Sequence, residues 1–225
     1  QCDCIYRGRS NHCTTFNYSN PRVPEYGIHD ISRIGSSPKK LRELVDLGKF
    51  ELDEIPTHVQ LTENQQIQVD TYKSGQVVIQ RDAIATELNG LKFPLYFIDY
   101  ETHMATIPLF DGWSPNKQVP FEYSLHIVEA LGVEPAHREF LHAVLKDPDV
   151  PFATSLHDHI GSEGNIIVWH KAFECGTVNK YLSERHPEYT DFFADFEARV
   201  YDLEDVFSKR LYVDRGFLGR SSIKN

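Results

Sequence analysis

No apolar run in this chain approaches the roughly 20 residues that a membrane-spanning helix needs. The first residues are polar and contain cysteine, which is not the pattern of a secretory signal peptide. Both absences predict a cytoplasmic protein with no membrane partner. There is no glycine-rich phosphate loop, no internal repeat and no long low-complexity segment, which removes solenoids and linker-like chains from consideration. Cysteine is scarce and unevenly placed. Of four, Cys2, Cys4 and Cys13 fall in the first thirteen residues and Cys175 stands alone. A disulfide framework spreads its cysteines more evenly, so a reducing compartment is expected. Basic charge is also in deficit, with a formal net charge of −10. That balance argues against a non-specific nucleic-acid coat. It leaves room for an enzyme that grips a few phosphates through metal ions. The last stretch, with Lys209, Arg210, Arg215, Arg220 and Lys224, is basic against this background.

At 225 residues the chain can bury a sizeable core. It begins at Gln1 and stops at Asn225 after Ser221-Ser222-Ile223-Lys224, which predicts a piece of a longer protein. Three segments are expected: an irregular cysteine-containing segment over 1–37, a helical connector over 38–90, and a domain over 91–225 truncated at its C-terminus. Residues 1–37 are rich in turn formers such as Pro21, Pro24, Gly27 and Gly35. Clustered Cys2, Cys4 and Cys13 suit thiolate ligation of zinc or of an iron–sulfur cluster. His12 or an upstream cysteine is a candidate fourth ligand, and the alternative is a set of thiols that bind nothing. In the connector, Ser37 and Pro38 start a helix carrying Leu41, Leu44 and Val45, and Gly48 stops it. Thr62 caps a second helix, whose Gln65, Gln66 and Gln68 are expected to face solvent. A third covers about 81–88.

From Leu91 the pattern changes. Residues 95–102 form an apolar strand that runs into Asp99 and Glu101. Residues two apart in a strand share a face, so the two carboxylates aim together. Carboxylates that close repel unless a proton or cation lies between them. A hard divalent cation is the usual solution, and a strand tip that simply meets water is the alternative. Strands are expected over 120–130 and 139–145, a helix over 151–160, a strand over 165–170, helices to about 185 and over 189–198, and a last strand at 200–203. This order predicts an α/β domain: an antiparallel meander, then parallel strands, with helices on both faces. In such sheets, sites form at the carboxyl ends of adjacent strands. That brings Glu174, just past the fourth of these strands, near Asp99 and Glu101.

These residues carry a resemblance. Phe97-Ile98-Asp99-Tyr100-Glu101-Thr102 and Val168-Trp169-His170-Lys171-Ala172-Phe173-Glu174 resemble the first two motifs of DnaQ-like (DEDD) 3′–5′ exonucleases, which have a ribonuclease-H-like fold. More widely, the chain is similar to an uncharacterised bacterial domain-of-unknown-function family with a predicted ribonuclease-H-like nuclease fold. That family often follows a RecB-like nuclease domain with a cysteine cluster. The further residues that carry this likeness are Cys2-x-Cys4 and His12-Cys13, Asp30-Ile31-Ser32-Arg33-Ile34-Gly35, Pro120 to His126, Asn179, Arg199-x-x-Asp202-Leu203 and Gly219-x-Ser221-Ser222-Ile223-Lys224.

The resemblance implies a metal-dependent nuclease that cleaves phosphodiester bonds by two-metal hydrolysis with Mg²⁺ or Mn²⁺. Asp99, Glu101 and Glu174 would be its metal ligands, and His170 would join them as a catalytic group. Arg199, Arg220, Ser222 and Lys224 would be candidate substrate contacts. Nucleic acid, DNA in preference to RNA, would be one partner, and an upstream RecB-like nuclease domain of the same polypeptide another. The exonuclease motif has Asp where this chain has Glu174, and Asn where it has His170. Its final carboxylate has no counterpart before Asn225. These departures sustain an alternative: an inactive nuclease-like module that binds nucleic acid or a partner nuclease domain. Nucleophilic catalysis by Cys175 is disfavoured, because the adjacent Glu174 raises a thiol's pKa.

Overall fold

A computed structural model describes residues 3–222. Seven strands are present among them: β1 (Val78–Ile79), β2 (Leu95–Met104), β3 (Gln118–Val128), β4 (Ala136–Leu141), β5 (Asn165–Val168), β6 (Val200–Asp202) and β7 (Tyr212–Val213). The chain divides into two compact units. One comprises the chain up to Ala85 together with Asp205 onward, and the other spans Thr86–Glu204. This division differs from the expected 1–37, 38–90 and 91–225.

The first unit has one core that joins the irregular segment to the connector. Ile28, Ile31 and Ile34 pack with Leu41, Leu44, Leu52 and Val69. The reason is geometric. The helix Pro38–Asp46 buries Leu41, Leu44 and Val45 on one face, and a single short helix cannot cover its own apolar stripe. The turns before it supply the opposing surface. The chain beyond Asp205 returns to the same unit, where β7 pairs antiparallel with β1.

Helix Glu63–Ser74 starts as expected, with Thr62 and Gln65 forming a reciprocal capping box. Its glutamines do not all face solvent, however. Gln65 and Gln68 are buried. The Gln68 amide accepts from Ser32 N–H at 2.9 Å and donates to the Asp30 carbonyl at 2.9 Å and to Tyr26 Oη at 3.1 Å. A buried loop must satisfy its backbone donors and acceptors, and here a side-chain amide does so.

The second unit is α/β, with a five-stranded mixed sheet in the order β4-β3-β2-β5-β6. β2 pairs antiparallel with β3 and parallel with β5, and β6 continues parallel to β5. Expected and observed elements agree closely apart from β4, which starts earlier than expected, and β5, which ends at Val168. Along β2, Tyr96, Ile98 and Tyr100 are buried while Phe97, Asp99 and Glu101 are exposed. The buried set belongs to one core that also takes residues from helices Asp149–His159, Lys180–Arg185 and Thr190–Arg199. These three helices therefore cover a single face; on the other, Tyr201 of β6 donates to Glu87 of the helix Arg81–Asn89 at 2.8 Å.

Phe152 is the keystone of that core. Its ring meets those of Tyr100, Tyr123 and Phe140 at 5.3, 5.4 and 5.8 Å, each close to perpendicular. Edge-to-face contacts of this kind add to the burial of apolar area. Phe152→Ala should lower unfolding free energy by about 3–5 kcal/mol. Urea titration of the two proteins measures the difference, and a change under about 1 kcal/mol would mean the core closes around the gap.

Candidate functional site

The carboxyl ends of β2, β5 and β6 define the site. The β2–β5 ladder pairs Phe97 with Ile167, so Asp99 lies two residues past it. Val168 pairs with Asp202 at the end of β6. β5 cannot continue because His170 takes a left-handed backbone, φ 81°. This conformation is uncommon for a non-glycine residue, and Asp202 holds it. The Asp202 carboxylate accepts from His170 N–H at 2.9 Å, Lys171 N–H at 2.8 Å and Glu204 N–H at 3.1 Å. Three backbone donors thus converge on one side chain and start the next helix.

Glu204 completes the arrangement. Its Oε2 is 2.7 Å from His170 Nδ1. That hydrogen bond raises the imidazole's pKa, opposed by partial burial and assisted by the negative charges of Glu204, Asp202 and Glu174. His170 remains 59% exposed through its side chain.

After His170 the helix opens into a wide π-type turn, Glu174–Asn179. Such turns are frequent where a side chain must be aimed for function. Glu174 is 2% exposed, and its Oε2 has no hydrogen-bond partner among the described residues. Burial pushes its pKa up to about 7, with the neighbouring charges of Asp99 and Asp202 adding to the rise. Its own backbone N–H and His170 act the other way. Beside it, burial pushes the Cys175 thiol up to about 12, which is the wrong direction for a nucleophile. Tyr100 Oη donates to Asn179 Oδ1 at 3.3 Å beneath this turn.

The sequence-predicted residues divide into four groups. Asp99 and Glu101 share the exposed face of β2, and Asp99 stands close enough to Glu174 to raise its pKa. His170 is held beside them by Glu204 and Asp202. Arg199 is engaged within its own unit: its guanidinium donates to the carbonyls of Gly161, Glu163 and Gly164 and to Asp195, pinning the loop before β5. That is a structural role, contrary to the expected phosphate contact. Arg220 belongs to the first unit, where it lines a cavity, and Ser222 is the last described residue.

Of the N-terminal candidates, Cys4 lies in the turn Asp3–Tyr6 and Cys13 is exposed. His12 is stacked on Phe16 at 3.5 Å. Cys2 and Lys224 fall outside the described residues. Among the described residues, no group of three or more His, Cys, Asp or Glu side chains is arranged to hold a metal ion. No described helix is long and apolar enough to cross a membrane.

Glu204 is the residue of this candidate site that the sequence reading missed. Its signal was Asp202-x-Glu204, the same two-residue spacing that drew attention to Asp99 and Glu101. A family described as a domain of unknown function (DUF2779) matches residues 96–222, which is more than half of the chain. The chain belongs to this family. No curated protein and no solved structure matches it. The match takes in every residue of the site, from Asp99 through Glu204.

Glu174 makes stability depend on pH. Its pKa is raised on folding, so its contribution is fully present below about 4.5 and is lost as pH rises through about 7. In chelator-treated buffer, the native chain should lose on the order of 3 kcal/mol across that window relative to Glu174→Gln. Parallel urea titrations at both ends of the window measure this. Equal pH dependence in the two proteins would show that Glu174 ionises as it does in water.

Proposed function

We propose that the second unit is a ribonuclease-H-like, DnaQ-like nuclease site that hydrolyses phosphodiester bonds, with DNA preferred to RNA. Its strand order, with the acid-bearing β2 flanked by antiparallel β3 and parallel β5, is compatible with that fold. The observation that carries the reading is Glu174 Oε2, buried without a partner beside the like charge of Asp99. A divalent cation, Mg²⁺ or Mn²⁺, would satisfy the orphaned oxygen and offset the repulsion together. Asp99 and Glu174 would hold it, with water completing the shell, since Glu101 shares the exposed face of β2 but does not form a third ligand with them. The expected two-ion arrangement needs a fuller ligand set than the described residues bring together, so the reading commits to one ion. When bound, it would polarise a phosphoryl oxygen and lower the pKa of a water.

The other roles fall to the chain itself. His170, held at Nδ1 by Glu204, favours its protonated form and leaves Nε2 to donate to a phosphate oxygen. Asp202 fixes that ring by holding the backbone beneath it. Tyr100 and Asn179 brace the turn that carries Glu174.

A second reading is favoured by one observation: no three ligand side chains converge among the described residues. On that reading the unit binds nucleic acid, or a RecB-like nuclease domain of the same polypeptide, without cutting.

Calorimetric titration with Mn²⁺ tests the first reading on the chain and on Asp99→Ala. Binding weakened more than about tenfold by the substitution, with cleavage of labelled single-stranded DNA falling roughly 100-fold, is expected. Equal binding in both proteins, or none in either, would leave the binding module standing.

A further inference from the structure

The first unit contains a cavity of about 870 Å³ that the nuclease reading does not use. Two stretches singled out in the sequence line it: residues 30–35 and 219–221. They lie far apart in the chain and meet through Gln68, which holds both the Asp30 carbonyl and the Ser32 N–H. Gly219 is required at this junction. Its φ is +76°, and a Cβ there would collide with the Gln68 amide and the Asp30 carbonyl.

The charge of the wall is unlike that of the chain. Among the described residues, Arg9, Arg33, Arg210 and Arg220 line the cavity against a single carboxylate, Asp30, in a protein of net charge −10. Asp30 is already engaged. Arg9 binds it through two nitrogens, the second at 2.7 Å, and Gly27 N–H donates to it at 3.0 Å. His29, also in the wall, has its pKa lowered, mainly by burial.

Arg210 decides what the cavity is for. It is 5% exposed, and its Nε is buried with no hydrogen-bond partner among the described residues. Its Nη2 reaches Gln68 Oε1 and the Gly219 carbonyl, both at a long 3.4 Å. No carboxylate pairs with it among the described residues. A guanidinium removed from water without a counter-charge is strongly unfavourable. An anion entering the cavity would supply that charge. Arginine forks match the oxygen spacing of a phosphate, and Arg33 lines the same cavity with the hydroxyl-bearing Ser10, Ser32 and Ser208.

We propose that this cavity binds a phosphate group, with Arg210 as its buried anchor and Arg33 at its rim. The group would be either that of a free mononucleotide or one phosphate of a nucleic-acid backbone. The proposal is independent of the carboxylate site in the second unit.

The test is calorimetric titration of the whole chain with inorganic phosphate, at ionic strength fixed by chloride. Arg33 is exposed and sits on left-handed backbone, so Arg33→Gln removes charge without opening the core. Arg210→Gln removes the anchor. One phosphate per chain is expected, weakened at least about tenfold by either substitution and unchanged in Asp99→Ala. Thymidine monophosphate and a short oligothymidylate then separate the sources. Tighter, salt-sensitive binding of the oligomer, lost in Arg33→Gln, assigns the phosphate to nucleic acid. Equal binding of the two assigns it to a mononucleotide. Absence of phosphate binding, or binding that Arg33→Gln and a folded Arg210→Gln leave intact, overturns the proposal.

Discussion

One carboxylate accepting three backbone N–H groups underlies the arrangement of the second unit. Asp202, at the end of β6, holds the N–H groups of His170, Lys171 and Glu204. Charge-assisted bonds of this kind are stronger than neutral ones, and three of them outweigh the strain of His170 at positive φ. That backbone conformation ends β5, turns the chain and starts the helix that carries Glu174. The imidazole of His170, the buried carboxylate of Glu174 and the exposed carboxylate of Asp99 are thereby grouped at one end of the sheet. Asp202 itself is left little capacity to meet a ligand.

Most of the sheet was legible in the sequence. The apolar alternation of 95–102 located β2 and predicted which residues share a face, and Asp99 and Glu101 do share the exposed one. The Thr62 cap was legible because capping depends on local residue chemistry. What was not legible depended on distant partners. Gln65 and Gln68 looked like a solvent face because their own helix gives no sign that the turns near Tyr26–Ser32 need an amide donor and acceptor. Arg199 looked like a phosphate contact because nothing local shows that it reaches three carbonyls before β5. The unit boundary was hidden for the same reason. The return of Tyr212–Val213 to Val78–Ile79 is a pairing of two residues each, too short to leave a pattern.

The two units solve the problem of buried charge in different ways. In the second, Glu174 responds to burial by holding its proton to higher pH. In the first, Arg210 has no such recourse, since a guanidinium stays protonated under all ordinary conditions. A buried carboxyl can therefore shed its charge by keeping its proton, whereas a buried guanidinium stays charged and can only be paired.

The wide turn at Glu174–Asn179 separates two demands that a regular helix would tie together. An α-helix advances about 100° per residue, so the direction of Glu174 and the directions of Tyr181 and Leu182 would otherwise be locked to one another. The π-type turn changes that phase. Tyr181 and Leu182 stay seated in the core while Glu174 turns toward the end of β2. Aim and anchorage can thus be adjusted separately, and a residue gained or lost within this turn would re-point the carboxylate without repacking the helix that follows.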